Sequence, residues 1–233
     1  MSLSAEDQKR AAAERSVLDV RPGMVVGLGT GSTARFAILK LGERFAAGEV
    51  PGIVCIPTSE ATSALARECK LPLAALADVP HVDIAVDGAD EVDPDLDLIK
   101  GLGGALLREK RVAMRAERFV VFVDASKCVT QLGTRAPIPV EVSEGSVRIV
   151  EAALRELGAK PRLRLRDGKP FVTDNGNPIL DAHLEVGVQN KVALARRLDA
   201  LPGVLGHGLF LGLCHEVWIG GPNGLEHRKR PLR

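Results

Sequence analysis

The amino-acid sequence predicts an α/β protein: a parallel sheet with helices on both faces, joined to a smaller α+β domain. Three observations carry this. Apolar runs at 25–29, 53–56, 82–86 and 119–123 alternate with helix-like stretches, and each run has the length of a buried strand. Such alternation builds a parallel sheet with right-handed crossovers. Polar clusters recur where these strands end: Thr30-Gly31-Ser32-Thr33, Thr58-Ser59-Glu60, Asp87-Gly88-Ala89-Asp90 and Asp124-Ala125-Ser126-Lys127. In parallel sheets the carboxyl ends of the strands are where ligands bind. After Gln131 the composition changes and the order becomes β-α-β-β-α, which fits a small α+β domain.

Residues 5–20 are rich in Ala, Glu and Arg and read as a helix stopping before Pro22-Gly23. Lys9 lies in it, where pattern alone gives a solvated face. After the strand at 25–29 comes Thr30-Gly31-Ser32-Thr33, then a helix over 34–46 ended by Gly48. Strand, glycine turn and helix aim unpaired N–H groups and the positive helix end at an anion. A plain N-cap by Ser32 or Thr33 fits the same residues equally well. The dinucleotide pattern G-x-G-x-x-G fails, because Ser32 stands at its third glycine, and no Walker lysine follows. A small phosphate is the better ligand.

A second strand at 53–56 leads into a helix running from Pro57-Thr58-Ser59-Glu60 to about residue 69. Residues 71–76 form a short strand or connector. Further on, 137–142 is a strand bounded by prolines, 146–157 a helix ended by Gly158, and 162–166 an exposed strand. Residues 171–180 form a hairpin around Asp174-Asn175-Gly176-Asn177, and 189–198 a last helix. Apolar strands return at 209–213 and 217–219 and are expected to rejoin the first sheet. The expected architecture is therefore a Rossmann-like domain over 1–132 and 205–233, with a ferredoxin-like domain over 133–204.

The chemistry concentrates in 82–110. A buried strand runs into Asp87-Gly88-Ala89-Asp90-Glu91. Lys100, Gly101, Gly103 and Gly104 follow, then a helix carrying Glu109. This supplies acids, a base, a cation and exposed backbone N–H groups. The ordinary fate of Glu109 would be an exposed residue paired with a nearby lysine. Asp93, Asp95 and Asp97 match the start of an EF-hand loop. Leu98 stands at its sixth position and Gly104 at its twelfth, so calcium is excluded; these aspartates read as a solvated loop.

Net charge is +1, from 31 basic and 30 acidic residues, which favours neither a nucleic-acid nor a membrane partner. The basic tail at 227–230 reads as a solvated terminus. Cys55, Cys69, Cys128 and Cys214 have no C-x-x-C spacing and fit reduced, mostly buried thiols of a cytoplasmic protein. No apolar run reaches the roughly 18 residues needed to span a bilayer, and no signal peptide is seen.

Taken together, Gly29-Thr30-Gly31-Ser32-Thr33, Asp87-Gly88-Ala89-Asp90-Glu91, Lys100-Gly101-Leu102-Gly103-Gly104-Ala105-Leu106, Arg108-Glu109-Lys110 and Asp124-Ala125-Ser126-Lys127 resemble type A ribose-5-phosphate isomerase. The likeness extends to 137–142, to Val172-Thr173-Asp174-Asn175-Gly176-Asn177 and to Leu201-Pro202-Gly203-Val204. It implies interconversion of ribose 5-phosphate and ribulose 5-phosphate without metal or cofactor, by a homodimer or homotetramer. It makes Glu109 the general base, and gives Asp87, Asp90 and Lys100 sugar holding, ring opening and charge stabilisation. Substrate contacts fall on Thr30, Gly31, Ser32, Thr33, Gly88, Ala89, Gly101, Leu102, Gly103 and Lys127, and Lys9 matches a phosphate-binding lysine. Leu102 stands where many members have a third glycine of a run, so its side chain is expected to narrow the loop.

The implied chemistry is proton transfer through an enediol. A carboxyl group, Asp87, moves a proton during ring opening; Glu109 moves one between C2 and C1; Lys100 and the glycine-loop N–H groups offset charge on oxygen. Two alternatives remain at this stage. A non-catalytic phosphosugar sensor would dispense with Glu109. A coenzyme A transferase would use a glutamate as nucleophile.

Overall fold

The computed structural model describes residues 3–231. In chain order its elements are α1 (Ala5–Ser16), β1 (Val25–Leu28), α2 (Ser32–Ala46), β2 (Val54–Pro57), α3 (Glu60–Glu68), β3 (Val82–Asp87), β4 (Glu91–Val92), β5 (Leu98–Ile99), α4 (Leu106–Arg115) and β6 (Ala116–Asp124). Then follow β7 (Ile138–Val142), α5 (Val147–Glu156), β8 (Lys160–Leu163), β9 (Leu165–Arg166), β10 (Lys169–Pro170) and β11 (Ile179–His183). The last are α6 (Lys191–Asp199), β12 (Val204–His207), β13 (Leu209–Phe210), β14 (Glu216–Gly221) and β15 (Gly224–Lys229). They form two compact units. One contains the chain up to Ala89, Arg108–Cys128 and the chain from Gly212; the other contains Asp90–Leu107 and Val129–Leu211.

In the first unit the sheet order is β15-β14-β6-β3-β1-β2. All pairs are parallel except β14 with β15. Local chemistry sets the helix ends. Ser4 caps α1 by accepting from the Asp7 N–H, and Ser59 caps α3 by accepting from the Thr62 N–H. Beyond α2, Gly48 takes a left-handed φ of 75°, as helix C-termini favour. Val26, Leu28, Ile84, Val86, Val120 and Phe122 are buried with Ala12 and Ala13 of α1, its C-cap Val17, and Ala37, Ile38 and Leu41 of α2. Gly27 faces the opposite way: there Val112 of α4 fills the space its side chain would need. Successive strand residues point to opposite faces, so this sheet has helices on both sides, as expected.

In the second unit β7, α5, β8, β11, α6 and β12 form a four-stranded antiparallel sheet with two helices. Its order is β12-β7-β11-β8, the split β-α-β arrangement of ferredoxin-like folds. Val140, Val142, Val150, Leu154, Leu180, Ala182 and Leu198 lie in its core. The hairpin expected over 171–180 is reduced to a tight turn. Val172 bridges to Pro178, and the Thr173 N–H donates to the Asn177 carbonyl (2.9 Å).

Three expectations change. Residues 90–107, 129–132 and 205–211 group with the second unit, where β4, β5 and β13 pair into a three-stranded antiparallel sheet and 205–207 belong to β12. Buried Glu91 fixes this sheet by accepting from the backbone N–H groups of Gly133, Arg135 and Ala136 (2.5, 2.6 and 2.7 Å). Leu209 and Phe210 therefore do not rejoin the first sheet, whereas residues 217–219 do. The basic tail, expected as a solvated terminus, is exposed at His227 and Lys229 but ordered as part of β15 through Lys229; His227 stacks on Trp218 at 3.8 Å between ring centres and lies 2.7 Å from Glu216.

Candidate active site

In the first unit, the polar ends of β1, β3 and β6 are brought side by side by parallel register: Leu28 pairs with Val86, and Asp87 with Val121. Asp87 is 4% exposed. Its Oδ1 accepts from the N–H groups of Thr30 (3.2 Å) and Gly88 (2.7 Å), which orients the carboxylate at the strand end. Gly29 is required here, since a Cβ at that position would fall on the Asp87 carboxylate. Gly88 has room for only a small group, with Thr33 Cβ at 4.0 Å and the Phe122 carbonyl at 3.8 Å from where its Cβ would stand. Ala89 follows, half-buried.

The 30–33 loop divides its work. The Thr30 hydroxyl is engaged internally, 2.8 Å from Thr58 Oγ1 and donating to Ser59 Oγ at 2.9 Å. Ser59 passes this on to Thr62, whose hydroxyl donates to the Gly29 carbonyl (2.8 Å). Gly31, with φ of 117°, is the N-cap of α2 and provides no side-chain cap. Neither Ser32 nor Thr33 occupies the N-cap, so the plain capping alternative is set aside. Ser32 is exposed and Thr33 half-buried in the first turn, where orphan N–H groups and the helix dipole suit a phosphate.

Glu109 lies in the first turn of α4 and is 4% exposed. It is not the surface residue that such helices usually present. At the end of β6, Asp124 accepts from the Ser126 N–H (2.9 Å) and lies 3.9 Å from Lys9 Nζ. Lys9 is half-buried beside this turn, not on a solvated face, and Lys127 belongs to the same turn.

In the second unit, Asp90 Oδ2 accepts from the Leu102 N–H (3.0 Å), and the Asp90 N–H donates to the Ile99 carbonyl (2.8 Å). Asp90 therefore ties the glycine loop to β5. Lys100 is 3% exposed, its N–H bound to the Gly208 carbonyl (2.9 Å) and its ammonium 5.5 Å from the centre of the Phe210 ring. Gly101 (φ 103°) and Gly104 (φ 89°) need glycine. Leu102 lies outside that backbone region and the residue is 41% exposed, so it extends outward instead of narrowing the loop. Gly103 is exposed.

Two residues that sequence reasoning passed over hold this loop. Arg164 Nη1 donates to the carbonyls of Gly101 (2.9 Å) and Leu102 (3.0 Å). Asp181 grips the same guanidinium at Nε (2.9 Å) and Nη2. The only sequence signal was an arginine in an alternating strand, and its contacts lie 62 and 63 residues away.

One expectation about this segment is overturned. Asp93 and Asp97 are 5% and 6% exposed, not solvated. With exposed Asp95 they hold Lys191 Nζ at 2.6, 2.8 and 2.7 Å. Asp93 Oδ1 also accepts from the Asp95 and Asp97 N–H groups (3.0 and 2.9 Å). A lysine ammonium thus occupies the one three-carboxylate cluster found among the described residues.

The sequence model of the family described as ribose 5-phosphate isomerase A (phosphoriboisomerase A) matches residues 54–224. A ribose-5-phosphate isomerase A of Roseiflexus sp. strain RS-1 is 50% identical over 224 residues, covering 96% of either chain. A ribose 5-phosphate isomerase A structure from Methanocaldococcus jannaschii is 42% identical with a TM-score of 0.92, over 97% of this chain and 100% of that one. A D-ribose-5-phosphate isomerase solved in complex with phospho-erythronic acid is 39% identical with a TM-score of 0.95, over 98% and 100%. No helix among the described residues is long and apolar enough to cross a membrane. The chain belongs to the ribose 5-phosphate isomerase A family.

Proposed function

We propose that Glu109 is the base of the reaction this family performs. The chain is an aldose–ketose isomerase that interconverts D-ribose 5-phosphate and D-ribulose 5-phosphate in the non-oxidative pentose phosphate pathway. The observation that supports the role of Glu109 is its burial in the first turn of α4, unlike the exposed glutamates that helix surfaces usually carry.

The substrate's ring opens first. Asp87, oriented by two backbone N–H groups, accepts the proton of the anomeric hydroxyl and hands it to the ring oxygen as the bond between C1 and that oxygen breaks. Glu109 then removes the proton from C2 of the open aldehyde, leaving an enediolate with charge on O1. Returning that proton to C1, with transfer of the O2 proton to O1, completes the ketose. Lys100 and the Gly103 N–H of the 101–104 loop offset the developing oxyanion. Asp90 keeps that loop in register through the Leu102 N–H. The first turn of α2, with Ser32 and Thr33, and the lysines Lys9 and Lys127 take the phosphate. The relative bound to phospho-erythronic acid indicates that a four-carbon acid phosphate is a suitable probe for these contacts.

The sensor and coenzyme A transferase alternatives are not favoured: the family match is to an isomerase over nearly the whole chain. We further propose a metal-independent, cytoplasmic homodimer or homotetramer. Exposed Ile149, Val172, Val186 and Val192 of the second unit offer apolar surface for self-association. Incubation with ribose 5-phosphate in deuterated water tests the central reading. Ribulose 5-phosphate should form with deuterium entering at carbon; absence of turnover by the folded wild-type protein would end the assignment.

A further inference from the structure

Resting on the isomerase reading above, we infer that Arg164 is a positioning residue for the oxyanion, acting through the peptide groups of the glycine loop. One nitrogen of its guanidinium, Nη1, donates to two consecutive carbonyls, Gly101 (2.9 Å) and Leu102 (3.0 Å). The remaining edge is gripped by Asp181 at Nε and Nη2. The arginine side chain is 11% exposed and its aspartate partner 16%. It also lies over the Phe171 ring, 5.9 Å from the centroid. That ring fills the space beside Gly104, where an added Cβ would come within 2.6 Å of Phe171 Cε1. The planar fork is thus fixed from both ends, an arrangement a lysine ammonium does not reproduce.

The consequence follows from peptide geometry. In a trans peptide the C=O and N–H point in opposite directions. Drawing both carbonyls toward one cation turns the following N–H groups, those of Leu102 and Gly103, away from it. The Leu102 N–H meets Asp90 Oδ2 at 3.0 Å, so this peptide lies between a cation at its oxygen and an anion at its N–H. The Gly103 N–H has no acceptor among the described residues, and Gly103 is exposed. A cation on the carbonyl of the same peptide polarises that N–H and strengthens it as a donor. Arg164 therefore places and strengthens a donor for the charge that appears on the substrate oxygen only as the enediolate forms. Its effect belongs to the transition state and not to ground-state binding.

The test compares Arg164→Met and Arg164→Lys with wild type, using ribose 5-phosphate as substrate. Phospho-erythronic acid serves as a ground-state probe, and the matching hydroxamate as a mimic of the enediolate. For Arg164→Met, kcat should fall by about 10²-fold, the usual effect of losing or misplacing one oxyanion donor. KM and the affinity for phospho-erythronic acid should stay within about threefold, while the hydroxamate weakens in parallel with kcat. Arg164→Lys retains charge without the fork and should recover only part of the loss. If the methionine variant does not fold, the lysine variant decides the matter by the same ratio. A folded variant with kcat within about threefold of wild type, or one losing kcat and both ligands equally, overturns the inference. Wild-type protein that does not isomerise ribose 5-phosphate would instead remove the underlying functional reading.

Discussion

Replacing Glu109 with glutamine keeps the side chain's volume and one hydrogen-bonding oxygen but removes its basicity. The structural cost should be small. Glu109 lies in the first turn of α4, where a carboxylate gains about 0.3–1 kcal/mol from the helix dipole. For a chain of this size, losing that much lowers Tm by no more than about 4 °C. The kinetic cost should be far larger. A positioned general base contributes about 10²- to 10⁴-fold, or about 2.7–5.4 kcal/mol of barrier at about 1.36 kcal/mol per decade. The loss belongs in kcat, with KM nearly constant, because proton abstraction occurs only in the transition state. Ribulose 5-phosphate formation and deuterium exchange at C2 should decline together. Asp95→Asn is the control, since that side chain is 74% exposed. Should folded Glu109→Gln keep more than about a tenth of wild-type kcat, far short of the usual worth of a general base, Glu109 is not the base.

Other outcomes are expected. Asp93→Asn should destabilise by about 1.5–3 kcal/mol, the worth of a hydrogen bond to a charged group, with a lower thermal midpoint as readout. This follows because Asp93 binds two N–H groups and Lys191. Partial burial pulls the Lys191 ammonium down, but hydrogen bonds to Asp93, Asp95 and Asp97 outweigh it and hold it above the ordinary lysine range. Stability from this cluster is therefore complete below about pH 10.4, the unfolded lysine value, and is lost as pH rises through the folded one. In denaturant titrations wild type should lose stability in that alkaline range more steeply than Lys191→Met; equal slopes would contradict the pairing. Free ribose should have a kcat/KM lower by about 10²-fold or more, since two or three charge-assisted bonds at about 1.5–3 kcal/mol each hold the phosphate. Comparable values for both sugars would refute the role of the 30–33 loop. Activity should survive exhaustive EDTA treatment, and recovery on adding a divalent ion after a loss would show the opposite.

Much of this protein was legible in the sequence because its signals are local. Apolar runs at 25–29, 53–56, 82–86 and 119–123 are strands of the first sheet, since a strand buried on both faces must be apolar throughout. Glycines at 31, 101 and 104 announced backbone that other residues rarely adopt, and all three have positive φ. The succession of acids, lysine, glycines and glutamate over 87–109 carried much of the resemblance to the family to which the chain belongs. Tertiary structure decided the pairings. β4, β5 and β13 are two residues each, too short for any periodicity, so only their mutual hydrogen bonds assign them to the second unit. The aspartates at 93, 95 and 97 looked solvated because Lys191, which neutralises them, lies 98, 96 and 94 residues further along the chain. Arg164 looked like one more exposed arginine until folding brought it to the carbonyls of Gly101 and Leu102. Burying a charge is costly without a partner, and the partner is supplied by the fold, not by the neighbouring sequence.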